Sequence, residues 1–137
     1  MMVSTKGRYA LRIMLDLAQH TEEGYISLKE IAVRQDISMK YLEAIVSILN
    51  KAGFVQSMRG KDGGYKLSRA PSAYNVGEIL ELTEGSLAPV ACMDCGEITC
   101  QRAGVCLTLP MWKQLDSLIN GYLKSVTLAD LLDRNIS

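Results

Sequence analysis

Apolar and polar positions along the chain alternate at spacings that predict short helices, one hairpin and a late, longer helix. After Ser4, a residue suited to capping a helix, Leu11, Met14, Leu15 and Ala18 follow the i, i+3, i+4, i+7 spacing of one buried face. Gly24 interrupts the pattern. Ser27 and Glu30 then stand at the spacing where each side chain satisfies the other's free backbone donor, and they start a second helix. That helix carries Leu28, Ile31 and Ala32 inward and falters near Gln35 and Asp36. Ser38 caps a third helix with Leu42, Ile45, Val46 and Leu49 on one face, ended by Gly53.

Two capped helices with a very short turn between them predict a helix-turn-helix. Residues 54–59 then read as a strand, residues 60–64 as a glycine-rich turn and residues 65–68 as the returning strand. A hairpin directly after the second helix of the motif makes a winged helix; the alternative is a generic small α+β domain. Beyond Pro71, residues 76–83 form a short helix packing Ile79, Leu80 and Leu82. From about Thr108 to Lys124 a long helix carries Met111, Leu115, Leu118 and Tyr122 at alternating steps of four and three, widened by Trp112 and Ile119. This is close to a coiled-coil seam, and a second copy of the helix is its natural cover, so a symmetric homodimer is expected. The alternative is that the stripe packs on its own domain. A last short helix runs from Thr127 to about Arg134. The fold class is therefore mostly α with a small β-hairpin wing. It divides into a winged helix-turn-helix over residues 1–83, a cysteine-rich loop over 84–107, and a dimerisation helix plus C-terminal helix over 108–137.

Charge changes the picture in one respect. The net charge is zero, yet residues 1–70 hold eleven Lys and Arg against seven Asp and Glu, and residues 71–137 hold four against eight. A basic N-terminal part suggests that this end meets a polyanion, double-stranded DNA above all. The first residues lack the apolar run of a signal peptide, and no stretch approaches the ~20 apolar residues of a spanning helix. A cytoplasmic protein without a membrane partner is expected.

All four cysteines, Cys92, Cys95, Cys100 and Cys106, fall in one segment with C-x2-C-x4-C-x5-C spacing. In a reducing compartment such a cluster argues for metal or redox chemistry over a disulfide framework. Four thiolates suit an iron–sulfur cluster, and equally tetrahedral zinc; spacing does not choose between them. A third possibility is a thiol switch in which Cys92 and Cys95 form a disulfide. An enzyme, specifically a dithiol oxidoreductase using Cys92 and Cys95, finds little support. No strand–CxxC–helix context, phosphate-binding glycine loop or nucleophile elbow accompanies the thiols.

On the predicted DNA face, the first turn of the third helix offers Ser38, Met39, Lys40, Tyr41 and Glu43 to base edges and phosphates, with Leu42 pointing inward. Glu43 can accept from cytosine N4, or it is an ordinary solvated glutamate. Arg59, Gly60 and Lys61 form the wing tip, where arginine can read a narrow minor groove. Lys6, Arg8 and Arg12 on the first helix add possible backbone contacts. His20 is expected to face solvent.

The segments STKGRYALRIMLDLA, SMKYLEAIVSILNKAGFVQSMRG and GGYKL, with the cysteine loop ahead of a Trp-bearing helix, resemble the IscR-type bacterial transcription regulators across essentially the whole chain. The resemblance implies a dimeric winged-helix regulator sensing iron–sulfur status, nitric oxide, redox state or cysteine supply; a repressor is expected. It places DNA contacts at Tyr41, Glu43, Arg59 and Gly60. It also implies three cysteine ligands, matched here by Cys92, Cys100 and Cys106. Two departures stand out. Where related iron–sulfur regulators carry a histidine ligand, this chain has Leu109; where another branch supplies an acidic ligand from the first helix, it has Arg8. Cys95 resolves this if four thiolates hold a two-iron, two-sulfur cluster. The reading is an operator-binding dimer on a palindromic site, controlled by that cluster, with zinc or thiol-redox control as the alternative.

Overall fold

The computed structural model describes residues 3–90 and 107–136. Among the described residues, six α-helices and one two-stranded sheet follow in the order α1 (Thr5–Gln19), α2 (Leu28–Gln35), α3 (Met39–Lys51), β1 (Val55–Met58), β2 (Gly64–Leu67), α4 (Val76–Glu84), α5 (Leu109–Ser125) and α6 (Leu128–Leu132). Short 3-10 turns occupy Thr21–Glu23 and Pro71–Ala73.

Each helix start in the first half is fixed by a hydroxyl. Ser4, Ser27 and Ser38 accept from the backbone N–H groups of Gly7, Glu30 and Tyr41, satisfying donors that a helix leaves free. At Ser27 it is this serine half of the expected capping box that forms. A complete, reciprocal box occurs instead at Thr127 and Asp130 of α6. α2 stops because Asp36 turns left-handed (φ 54°, ψ 52°), a conformation that a short polar side chain tolerates. α3 ends at Gly53, whose φ of 76° suits a residue without Cβ.

The main core gathers Ala10, Ile13, Met14 and Leu17 of α1 with Ile31, Leu42, Ile45, Val46, Leu49, Tyr74 and Ile79. The buried face of α1 is thus rotated from the expected one. Met14 and Ala18 are buried as expected, but Leu11 and Leu15 are only half-buried, and Ala10, Ile13 and Leu17 take the centre. The physical reason is that α1 packs against α2, α3, α4, α6 and β2, so its apolar surface is wider than one stripe. α3 buries the four residues that its periodicity indicates.

The hairpin pairs antiparallel with Val55 opposite Leu67 and Met58 opposite Gly64. A single extra bridge joins Tyr65 to Ile26, each N–H donating to the other's carbonyl at 2.8 Å, so the chain before α2 adds a third arm to the wing's base. Gly64 (φ 154°) lies against this arm, and a Cβ there would overlap the Ile26 carbonyl. The Tyr74 hydroxyl, fully buried, closes the hairpin from the other side. It donates to the Phe54 carbonyl at 2.5 Å and accepts from the N–H groups of Ser68 and Arg69 at 3.0 and 3.1 Å. A second, smaller cluster of Val76, Leu80, Leu87 and Val126 seats α4 against the end of α5. Among the described residues no helix is long and apolar enough to cross a membrane.

Candidate nucleic-acid interface

α3 has two well-separated faces. Leu42, Ile45, Val46 and Leu49 are buried, while Met39, Lys40, Glu43, Ala44 and Ser47 are exposed and share the opposite side. Ser38 is exposed at the helix start, its hydroxyl oxygen accepting the capping bond at 3.3 Å. Lys40 and Glu43 therefore stand in solvent on one surface, as a groove-reading helix requires.

Tyr41 is placed differently from its neighbours. It is half-buried, and its ring meets Tyr9 of α1 edge-on, with centroids 5.5 Å apart and planes at 83°. The Arg12 guanidinium lies 5.1 Å over the Tyr9 ring, and its Nε donates to Oε1 of Gln35 at 3.2 Å. A further Arg12 bond goes to the Gln35 carbonyl at the end of α2. Arg12 thus ties α1 to the helix-turn-helix, a more specific role than the backbone contact expected of it.

Beneath this junction lies Asp16, only 1% exposed and the sole buried charged residue among those described. Its carboxylate accepts from Arg34 Nε (3.0 Å) and Nη2 (2.7 Å) and from Gln35 Nε2 (2.9 Å). Burial pushes this carboxyl up, but the Arg34 and Gln35 hydrogen bonds and the Arg34 charge outweigh burial and hold it below its ordinary value. Arg34 is correspondingly raised, chiefly by its hydrogen bond to Asp16. His20 does not face solvent freely. It is partly buried, with Nδ1 2.7 Å from the Asp16 carbonyl oxygen and Nε2 3.7 Å from Glu23. Periodicity misses this network because it counts Asp16 as polar; its i+18 and i+19 partners carry no local signal.

The wing tip presents Arg59, Gly60 and Lys61, all exposed, on a turn where the Gly63 N–H donates to the Gly60 carbonyl at 3.1 Å and Gly60 adopts φ 113°. Arg8 is exposed on the first turn of α1, and its Nη2 donates to Thr5 Oγ1 at 3.2 Å. α5 carries a different surface. Met111 (54% exposed), Leu115 (37%), Leu118 (59%) and Tyr122 (51%) form the expected apolar stripe on α5, partly exposed among the described residues. Trp112 and Ile119 are half-buried beside it.

Cys92, Cys95, Cys100 and Cys106 lie outside the described residues, in the segment between Val90 and Leu107. The flanks bear on what can join them as ligands. Leu109 is buried at the head of α5 and offers no donor atom. Arg8 is a cation. Neither position supplies an imidazole or carboxylate, whereas the four thiols of the sequence are a donor type that fits an all-thiolate cluster or zinc. Among the described residues no other His, Cys, Asp or Glu group is arranged to hold a metal ion.

Comparison with known proteins gives this surface its setting. Residues 3–134 match the family model Rrf2, an iron-dependent transcriptional regulator. The HTH-type transcriptional regulator IscR of Serratia proteamaculans is 41% identical over 133 residues, spanning 97% of this chain and 80% of that protein. Among solved structures, T. potens IscR aligns with a TM-score of 0.78 at 41% identity, covering 99% of this chain and 89% of its own. CymR, the global cysteine regulator of B. subtilis, aligns with a TM-score of 0.80 at 38% identity, covering 98% of both chains. These relatives are regulators and not enzymes, which removes the oxidoreductase reading. The chain belongs to the Rrf2 family of DNA-binding, winged-helix transcriptional regulators.

Proposed function

We propose that the chain acts as a homodimeric, operator-binding repressor whose DNA affinity is set by an iron–sulfur cluster, a two-iron, two-sulfur centre held by Cys92, Cys95, Cys100 and Cys106. The observation that carries this reading is the donor set. Four thiols stand in one segment of a family described as iron-dependent, and neither Leu109 nor Arg8 competes as a ligand. When bound, the cluster supplies redox and oxygen sensitivity. The protein's own residues do the reading. Ser38, Lys40, Tyr41 and Glu43 meet the major groove, Arg59, Gly60 and Lys61 the adjacent backbone or minor groove, and Arg8 a phosphate.

The exposed stripe of Met111, Leu115, Leu118 and Tyr122 supports pairing through α5, because large apolar side chains at seam spacing stay partly exposed among the described residues. Two-fold pairing presents two recognition helices, and a palindromic operator mirrors that symmetry. Half-sites on one DNA face lie about 34 Å apart, so a modest change in subunit geometry alters affinity. The organisation is a DNA-binding unit over residues 1–83, a ligand loop over 84–107 and a dimerisation unit over 108–137, in the cytoplasm.

Anaerobic reconstitution with iron and sulfide tests the cluster. It should give visible absorption, and Cys100→Ala should abolish it. A colourless protein carrying stoichiometric zinc overturns the cluster assignment. The second reading, a cysteine-responsive or thiol-redox regulator without a cluster, is favoured by the alignment with the cysteine regulator CymR. It predicts operator affinity that responds to thiol oxidation but not to iron.

A further inference from the structure

We propose that Met39 reads the C5-methyl group of a thymine in each half-site, a specificity contact additional to those of the charged residues; this rests on the docking of α3 in the major groove proposed above. Met39 is the first residue of α3 and is 42% exposed. It shares the exposed face with Lys40, Glu43, Ala44 and Ser47, whereas Tyr41 is turned against Tyr9. Lys40 can only donate, Glu43 can only accept, and Ser47 can do both. Met39 is the one long apolar side chain on this surface, at the end of the helix that reaches deepest toward base edges. The apolar group that the major groove offers in return is the thymine methyl.

The thioether suits such a contact because it is unbranched, polarizable and able to settle on an irregular surface. At a rise of 1.5 Å per residue, Met39 and Glu43 stand about 6 Å apart along the helix axis, under two base-pair steps of about 3.4 Å. The thymine should accordingly lie within two base pairs of the base that Glu43 meets. Met39 is not among the buried residues of the core, so its replacement is compatible with the fold.

The experiment uses the full chain and a duplex that it selects from a random-sequence library, with each thymine replaced in turn by deoxyuridine, which lacks the methyl. Wild-type binding should weaken about fourfold at one thymine in each half-site, the effect of one buried methyl group. Met39→Ala, which removes the contact from both half-sites, should bind the unmodified duplex weaker by about the square of that factor and be indifferent to each such replacement, while Met39→Leu should retain the sensitivity. The cycle separates a methyl contact from any change in DNA shape, because shape effects persist in the variant. A Met39→Ala chain with the wild-type deoxyuridine profile, or a wild-type chain insensitive at every thymine, overturns the proposal. Docking is checked separately with Lys40→Ala and Arg59→Ala, each of which should lower the salt dependence of dimer binding by about two counterions, one from each half-site. If both leave that slope unchanged, the docking reading fails whatever the deoxyuridine profile shows.

Discussion

Asp16→Asn is the substitution that most directly asks whether the α1–α2 junction holds the reading helix in place. The carboxylate accepts three hydrogen bonds, two of them on Oδ2, from Arg34 Nε and Gln35 Nε2. An amide has one acceptor oxygen and sets an NH2 group against at least one of these donors. Removing one partner of a buried pair costs about 3–5 kcal/mol. Here the Arg34 side chain is 34% exposed and recovers part of its hydration, so a loss of about 2–4 kcal/mol is expected at neutral pH. The pH dependence follows from the depressed carboxyl. Its stabilisation is present above the unfolded-state value of about 3.9 and is lost as pH falls through the lower folded-state value. Urea unfolding followed by circular dichroism should therefore show a wide gap between wild type and variant near pH 7 that narrows below about pH 4. A gap under about 1 kcal/mol at pH 7, or one that stays constant down to about pH 3, refutes the argument. Because Gln35 also carries the Arg12 bonds, operator affinity should fall with stability.

Tyr74→Phe removes a hydroxyl that serves three backbone groups at the base of the wing, and it should cost about 2–3 kcal/mol in the same unfolding measurement. Gly64→Ala sets a Cβ against the Ile26 carbonyl at a φ that favours glycine. It should destabilise by about 1–3 kcal/mol and weaken operator binding through the displaced wing, measured by gel shift. Leu118→Glu lies on the exposed stripe, so subunit stability should change by about 0.5 kcal/mol or less, while sedimentation should show dimer dissociation at a concentration at least tenfold higher.

Much of the fold was legible because its signals are local. Serine caps at positions 4, 27 and 38, the glycine after α3 and the 3.6-residue spacing of Leu42, Ile45, Val46 and Leu49 each act within one or two turns of helix. The rotation of the α1 face was not legible, since it depends on distant elements, α4 above all, returning to pack against it. Neither was the Tyr74 hydroxyl, which reaches back twenty residues to Phe54 and reads in the sequence as one more aromatic in a loop. The third arm of the wing at Ile26 escaped for the same reason: a single bridge leaves no alternation to detect.

The candidate site divides along the same line. Lys40, Glu43, Arg59 and Lys61 were placed by position in a motif, and exposure on a helix face or hairpin tip is what that motif dictates. Tyr41 shows where motif position stops being informative. Its ring is drawn to Tyr9, so the residue belongs to the helix junction as much as to the reading surface, and only the tertiary approach of α1 decides this. The metal side is legible in a different sense. Ligand chemistry is a property of residue type, and thiols clustered within fifteen positions raise the expectation of a soft centre before any geometry is known. Sequence spacing leaves iron against zinc open, because both accept four thiolates, and what the flanking residues withhold bears only on the fourth ligand. A buried leucine at the head of α5 and an arginine on α1 supply no fourth donor, so the burden falls on Cys95. Replacing Cys95 by alanine is consequently the sharpest discriminator within the loop: an all-thiolate centre loses its visible absorption, whereas a three-cysteine centre completed from elsewhere keeps it.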